Sequence, residues 1–177
     1  MTRLLHRLRH FVRDEQGTAT AEFALMVPLF FSLFLIGVDA GQLKIRQVML
    51  DRALDIAIRD LRLGTLQQPT LAQLRSRVCA NTAIFANCET DLLIELRPVN
   101  TATWVLPADP PACIDRSATI NPVTTITGGG SNEMMIVRAC MIVDPIFPTT
   151  PWALQLPLDA NGGFQMFSLS SFVNEPR

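Results

Sequence analysis

The polar and apolar positions change rhythm three times along the chain. Residues 1–17 are polar and basic, with Arg3, Arg7, Arg9 and Arg13 ahead of an Asp14-Glu15-Gln16-Gly17 cluster. Thr18–Val38 is then apolar almost throughout, and Phe23–Val38 holds sixteen residues without a charge. As a helix, Thr18–Val38 reaches roughly 32 Å at 1.5 Å per residue, enough for a bilayer core of about 30 Å. From Asp39 to Leu63 the pattern becomes amphipathic: Leu43, Val48, Leu50, Leu54, Ala57, Ile58 and Leu61 recur at helical spacing, with nine charges among them. This predicts one helix of about forty-five residues, its apolar stripe a seam onto the following domain and its charges a solvated face. Asp55 and Arg59 stand four apart with the acid first, a favourable helical pair. Gly64 suits the C-terminal stop. Pro28 removes one backbone hydrogen bond and gives the apolar half a place to kink.

Beyond Gly64 the rhythm shortens. Residues 65–177 carry eleven of the twelve prolines. Thr70 and Gln73 have capping-box spacing, which predicts a short helix running to about Cys79. Asp91–Pro98 alternates as a strand, with Leu92, Ile94 and Leu96 on one face and Glu95 and Arg97 on the other. Glu133–Val143 reads as a second, more apolar strand and Phe164–Val173 as a third. Pro107, Pro110 and Pro111 mark a loop. Gly128-Gly129-Gly130 marks another; it lacks the lysine and following helix of a phosphate loop and reads as a flexible turn.

Composition then removes whole classes of function. Apolar residues make up 49% of the 177 positions, charged residues 18%, and the net charge is −1. That balance excludes a nucleic-acid binder driven by bulk positive charge and a charge-rich disordered chain. The two histidines, His6 and His10, both precede the apolar run. The body of the chain therefore holds no Ser-His or Cys-His pair and no histidine-ligated zinc site. Asp109 and Asp115 flank a loop, but two carboxylates are too few for a calcium site. Met134, Met135 and Met141 read as core filler; Trp104 and Trp152, in Pro-flanked loops, read as packing anchors. The expectation is a protein that is not an enzyme and holds no metal or cofactor.

The apolar run admits three readings. Val38-Asp39-Ala40 fits a signal-peptidase site before Gly41. The run also fits a plain anchor. The third reading is a signal cut ahead of the apolar run, so that the helix stays on the mature chain. In each the basic flank predicts a cytoplasmic N-terminus. Glu22 bears on the choice, because a carboxylate inside a membrane helix is costly and neither a signal peptide nor a bare anchor gains from it. Cleavage after Gly17 would make Thr18 the first residue and Glu22 the fifth. The new α-amino cation and the Glu22 carboxylate would then offset each other's burial in an apolar assembly.

Gly17-Thr18-Ala19-Thr20-Ala21-Glu22-Phe23-Ala24-Leu25, with arginines upstream, an apolar helix downstream and Pro28 within it, resembles a type IV prepilin processing site. It is closest to the TadE/TadF-like minor pilins (pseudopilins) of the Tad, or Flp, pilus system. The resemblance covers Asp14–Gly64 and fades beyond it, although Asn174-Glu175-Pro176 also resembles chain ends in that family. It implies a leader ending at Gly17, a mature N-terminus at Thr18, and Glu22, with Phe23 beside it, registering the subunit against its neighbour. It also implies partners: other pilin subunits, a prepilin peptidase, the inner-membrane pilus assembly platform and membrane lipid, with no nucleic acid.

Four cysteines, Cys79, Cys88, Cys113 and Cys140, follow the membrane-length run. A cytoplasmic N-terminus places them in the periplasm, where disulfides persist. No C-x-x-C spacing occurs, and four cysteines allow three pairings. The favoured one is Cys79–Cys88, closing a short loop, with Cys113–Cys140 tying the Pro-rich loop to the central strand. The expected protein is an α+β, pilin-like chain, a long N-terminal helix packed on a small, mostly antiparallel sheet with disulfide-tied loops. Its expected divisions are 1–17 leader, 18–38 membrane half of the helix, 39–64 amphipathic half and 65–177 periplasmic domain. It would sit single-pass in the inner membrane or in an extracellular pilus, supporting adhesion. Two rivals stand beside it: an uncleaved single-pass envelope protein, such as an adhesin or sensor, and a secreted binding protein released after Ala40.

Overall fold

The computed structural model describes residues 18–66, 68–118 and 120–175. The basic segment through Gly17 and the terminal Pro176 and Arg177 lie outside them, as do the expectations placed on those residues.

One helix dominates. α1 runs unbroken from Thr18 to Arg62, through Pro28. It ends where the sequence places the stop: Gly64 takes φ +74°, its N–H bonds to the Leu61 carbonyl and the Thr65 N–H to the Asp60 carbonyl. That pair of bonds satisfies carbonyls the helix end would leave open, and the positive φ is the reason for glycine. α2 (Leu71–Ala80) starts with the predicted capping box, the Thr70 side chain accepting from the Gln73 N–H and the Gln73 side chain from the Thr70 N–H. A single helical turn, α3 (Cys88–Asp91), follows.

Three strands form one antiparallel sheet in the order β1-β2-β3: β1 (Leu92–Pro98), β2 (Met134–Val143) and β3 (Phe164–Val173). The register sets Leu92 opposite Met141 and Leu96 opposite Val137, then Met141 opposite Met166 and Met135 opposite Phe172. Paired residues share a face, so one side of the sheet is a continuous apolar surface. α1 lies on that surface. Leu43, Leu50, Ala53, Leu54, Ala57, Ile58 and Leu61 are buried there together with Leu74 and Val78 of α2. Each buried Leu or Ile contributes about 1.5–3 kcal/mol, and this seam is the core. Met135 and Met141 are buried in it, and Trp152 packs at its margin.

Val48 departs from the expected seam. It is 64% exposed, because its position is about 200° around the helix from buried Leu50. Trp104 is also no packing anchor: it sits in a turn at φ +51° with its ring 61% exposed. Asp55 and Arg59 make no ion pair with each other among the described residues. Asp60, one residue further, pairs instead with Arg77 of α2, whose guanidinium that carboxylate holds above its usual pKa through a hydrogen bond and charge.

On the other face of the sheet, residues 99–133 reach β2 at Arg138 and Cys140; among the described residues they contain no strand or helix, and on β3 the side chains of that face, Phe167 and Leu169, stay exposed. Arg138, on that face of β2, is 6% exposed. Its guanidinium donates to Glu95 of β1 and to the Asp109 carbonyl, and Glu95 also pairs with Arg97 at 3.0 Å. Two residues along, Cys140 is bonded to Cys113. Cys79 and Cys88 form the second disulfide, joining the end of α2 to α3. Thr125 and Thr127 flank the free edge of β1 and exchange backbone hydrogen bonds with Leu96. The Gly128–Gly130 turn is less free than its sequence implies, since a Cβ at Gly129 would overlap the Met135 side chain.

Two outcomes test this account of the loop. Arg138→Ala leaves Glu95 buried without its main partner, so it should lower unfolding stability by about 3–5 kcal/mol; equilibrium denaturation of the full chain in detergent measures it, and a loss near zero would remove the pair from the account. Replacing Cys113 and Cys140 together by alanine should cost about 3 kcal/mol and make residues 99–133 the first site of limited proteolysis, with unchanged cleavage counting against the tie.

Candidate functional site

Two surfaces are candidates for function: the clefts of the domain and the helix that leaves it. The domain offers little chemistry. A cleft of about 630 Å³ lies beside the C-terminal end of α1, lined by Leu61, Leu66, Leu96, Gly129, Met135 and Phe172. No titratable side chain lines it. Among the described residues no group of three or more His, Cys, Asp or Glu is placed to hold a metal ion. Asp115 is engaged locally, accepting from the Ser117 N–H and hydroxyl, bonds that hold its pKa below the usual carboxylate value. Asp109 contributes its backbone carbonyl to Arg138.

The helix is the opposite case. Among the described residues α1 is long and apolar enough to cross a membrane, and its most apolar stretch is not buried by the rest of the chain. Phe23 is 70% exposed, and Leu25, Met26, Leu29, Phe30, Leu33 and Phe34 are exposed with it. Leaving so many large apolar groups in water carries a heavy penalty, and a contiguous patch of this size marks a membrane or protein contact. Glu22 lies in the first turns of this stretch, exposed, and makes no hydrogen bond or ion pair among the described residues. Gly17 lies outside the described residues; Thr18 is the first described residue of the helix, and its side chain is not among those described. The structure therefore sets Glu22 and Phe23 side by side on the exposed helix and keeps all four cysteines in the domain, engaged in the two disulfides.

The passage from exposed to packed helix occurs at Asp39, a feature the sequence pattern assigned to a solvated face. Asp39 is fully buried. Its Oδ1 accepts from the Ile146 N–H at 3.0 Å, just past β2, while Oδ2 is buried without a partner. Burying a carboxylate is costly unless it is bonded, so the bond to Ile146 fixes where the domain meets the helix. Further polar ties follow along α1. Arg46 donates to the Asp144 carbonyl at 2.9 Å. Gln47 donates to Asp51 and to the Phe167 carbonyl on β3, and Ser168 donates to Asp51 at 2.6 Å. Arg116, from the covering loop, makes two bonds to the Asp144 carboxylate, which raises the guanidinium pKa further. The segment after β2 is thus gripped from two sides. The only sequence signal for these ties was their place: Asp39, Arg46 and Asp51 sit beside the buried stripe.

No curated protein and no solved structure matches the chain. A family model described as TadE-like protein matches residues 17–59. That span begins at the Gly17 of the motif and takes in the whole exposed stretch, Asp39 and most of the seam, so over it the chain is similar to the TadE-like proteins, a similarity that points to a structural, Tad pilus-associated protein and not to an enzyme.

Proposed function

We propose that the chain is a minor pilin, or pseudopilin, of a Tad-type adhesive pilus, cut by a prepilin peptidase between Gly17 and Thr18. Residues 1–17 are then a cytoplasmic leader, 18–38 the membrane half of α1, 39–64 its periplasmic half and 65–177 the periplasmic domain. The observation that carries the reading is the exposed apolar half of α1, headed by Gly17-x-x-x-x-Glu22 and continued without a break into a helix packed on its own domain.

The physical roles follow from position. Held in the inner membrane, the apolar half solves its exposure in lipid. Drawn into a fibre, it solves the same exposure against neighbouring helices. Glu22 is the one charge in that half and so the one position where sliding between helices is penalised. Opposite the α-amino group of a neighbour's Thr18 its charge is compensated; elsewhere it is buried unpaired, at a cost of several kcal/mol. The partners are other pilin subunits, the peptidase, the inner-membrane assembly platform and membrane lipid.

Gly17→Leu should block cleavage, and intact-mass measurement should find the chain still starting upstream of Thr18 in cells that contain the peptidase; an unchanged mature mass refutes the processing site. Glu22→Ala should leave processing largely intact yet abolish incorporation, read as loss of the subunit from sheared pili; normal incorporation would remove the register role.

A further inference from the structure

The chain between β2 and β3 differs from the rest of the domain surface. From Pro145 to Leu158 it carries no charge, although Asp144 and Asp159 stand at its two ends, and both of these pair with Arg116. Ile146 and Leu154 are exposed, Leu154 by 70%, and Phe147, Trp152 and Leu156 are half-buried. The backbone is also largely closed to water. Pro145, Pro148, Pro151 and Pro157 have no N–H to satisfy. The N–H groups of Ile146, Thr150, Ala153, Leu154, Gln155 and Leu156 are bonded within the protein, in and around a single 3₁₀ turn. An irregular segment that is uncharged, apolar outside and bonded within suits a surface where water is scarce.

Two bonds fix its level along α1. Arg46 donates to the Asp144 carbonyl, and Asp39 accepts from the Ile146 N–H. The chain therefore runs down α1 from residue 46 to residue 39 as it leaves β2. Leu35 and Ile36, one turn lower still, are half-buried, whereas Phe31, Leu33 and Phe34 are exposed. With Thr18–Val38 across a bilayer, this is the level at which α1 leaves the hydrocarbon. Lys44 is exposed and makes no ion pair among the described residues. It stands about 7 Å past Asp39 along the helix, where a lysine meets lipid phosphate.

We propose that the β2–β3 segment is a second membrane contact. It rests on the phospholipid surface that holds α1, with Ile146, Trp152 and Leu154 in the interface and Lys44 at the headgroup phosphates. The occupant is lipid because the segment continues the exposed apolar half of α1 at the level where that half ends. Tryptophan is a side chain favoured at that level. A single spanning helix is free to tilt; a second contact beside it sets which side of the domain meets the membrane. The inference rests on the membrane placement of residues 18–38 proposed above, and on neither cleavage after Gly17 nor incorporation into a pilus.

Tryptophan quenching tests it with the full-length chain in vesicles of phosphatidylcholine and phosphatidylglycerol. The chain has two tryptophans. Trp152 lies in the segment. Trp104 follows β1 at the other end of the sheet, where Met135 lies beside Leu61, roughly 30 Å further along α1. Trp104→Phe leaves Trp152 as reporter, and Trp152→Phe leaves Trp104. Phospholipid brominated on the upper acyl chain should quench Trp152 several-fold more than Trp104. Ile146→Glu and Leu154→Glu together should cut the quenching of Trp152 several-fold while both native disulfides stay intact. Phe30→Trp, added to Trp104→Phe and Trp152→Phe, reports the helix itself. Quenching at that position with none at Trp152 overturns the contact and leaves the membrane helix standing; no quenching at either overturns both. Quenching of Trp152 that survives the two glutamates also overturns the proposal, because the segment is then near lipid only by its tether.

Discussion

The constraint on which the molecule depends is that one helix must satisfy two environments in turn. Over its first half α1 is apolar on every side and buries nothing against its own chain. Over its second half it is the main apolar layer facing the sheet. Neither half explains the other, and the join is made by a single buried carboxylate, Asp39, bonded to the backbone just past β2. That bond and the Arg46, Gln47 and Asp51 ties beyond it add direction to an apolar contact, which fixes area better than it fixes position. The polar ties set where the domain begins, and so how much helix is left free.

The rest of the domain serves that seam. The β1-β2-β3 meander turns one apolar face to α1, and α2 closes its margin. The other face is the problem of a small sheet: over β2 it is buried under a Pro-rich segment without regular structure among its described residues, while on β3 Phe167 and Leu169 stay exposed. An ordered loop of that length has no ladder of hydrogen bonds to hold it. It is held at points instead, by Arg138 on Glu95 and the Asp109 carbonyl, by Cys113–Cys140 two residues away, and by Arg116 on Asp144. Placing a buried ion pair and a disulfide on one strand concentrates the fastening on β2, the one strand paired on both edges.

Much of this was legible in the sequence, because it rests on local rules. The end of α1 follows from Gly64; the start of α2 follows from Thr70 and Gln73; the strands follow from alternation. The disulfide pairing was only favoured among the three that four cysteines allow, and it is the one the structure forms. What the pattern missed depends on three-dimensional neighbours. Asp39 and Asp51 look like members of a solvated face until β2 and β3 are placed beside them. Val48 matched the stripe in spacing yet lies on the other side, since a tolerance of one residue in a helix is 100° of rotation. Trp104 looked like an anchor by residue type, but a loop with few contacts does not bury a ring. The motif from Gly17 to Phe23 was legible as a motif only; the exposure of the helix around it is what the role proposed for Glu22 rests on.

That exposure also orders the possible assemblies. A chain whose free helix is apolar on all sides can exchange lipid for neighbouring helices with little change in free energy, because hydrocarbon and a packed helix are alike as apolar surroundings. What distinguishes one packing from another is then the small set of positions that are not simply apolar: Glu22 at the start, the glycines near the join, and the alternating charges past Val48. On the pilus reading proposed above, Glu22 is the one among them at which axial slippage would leave a charge unpaired. The domain, gripped to the helix at Asp39, Arg46 and Gln47, cannot swing to relieve a misfit, so an error at any of these positions is transmitted to the whole subunit.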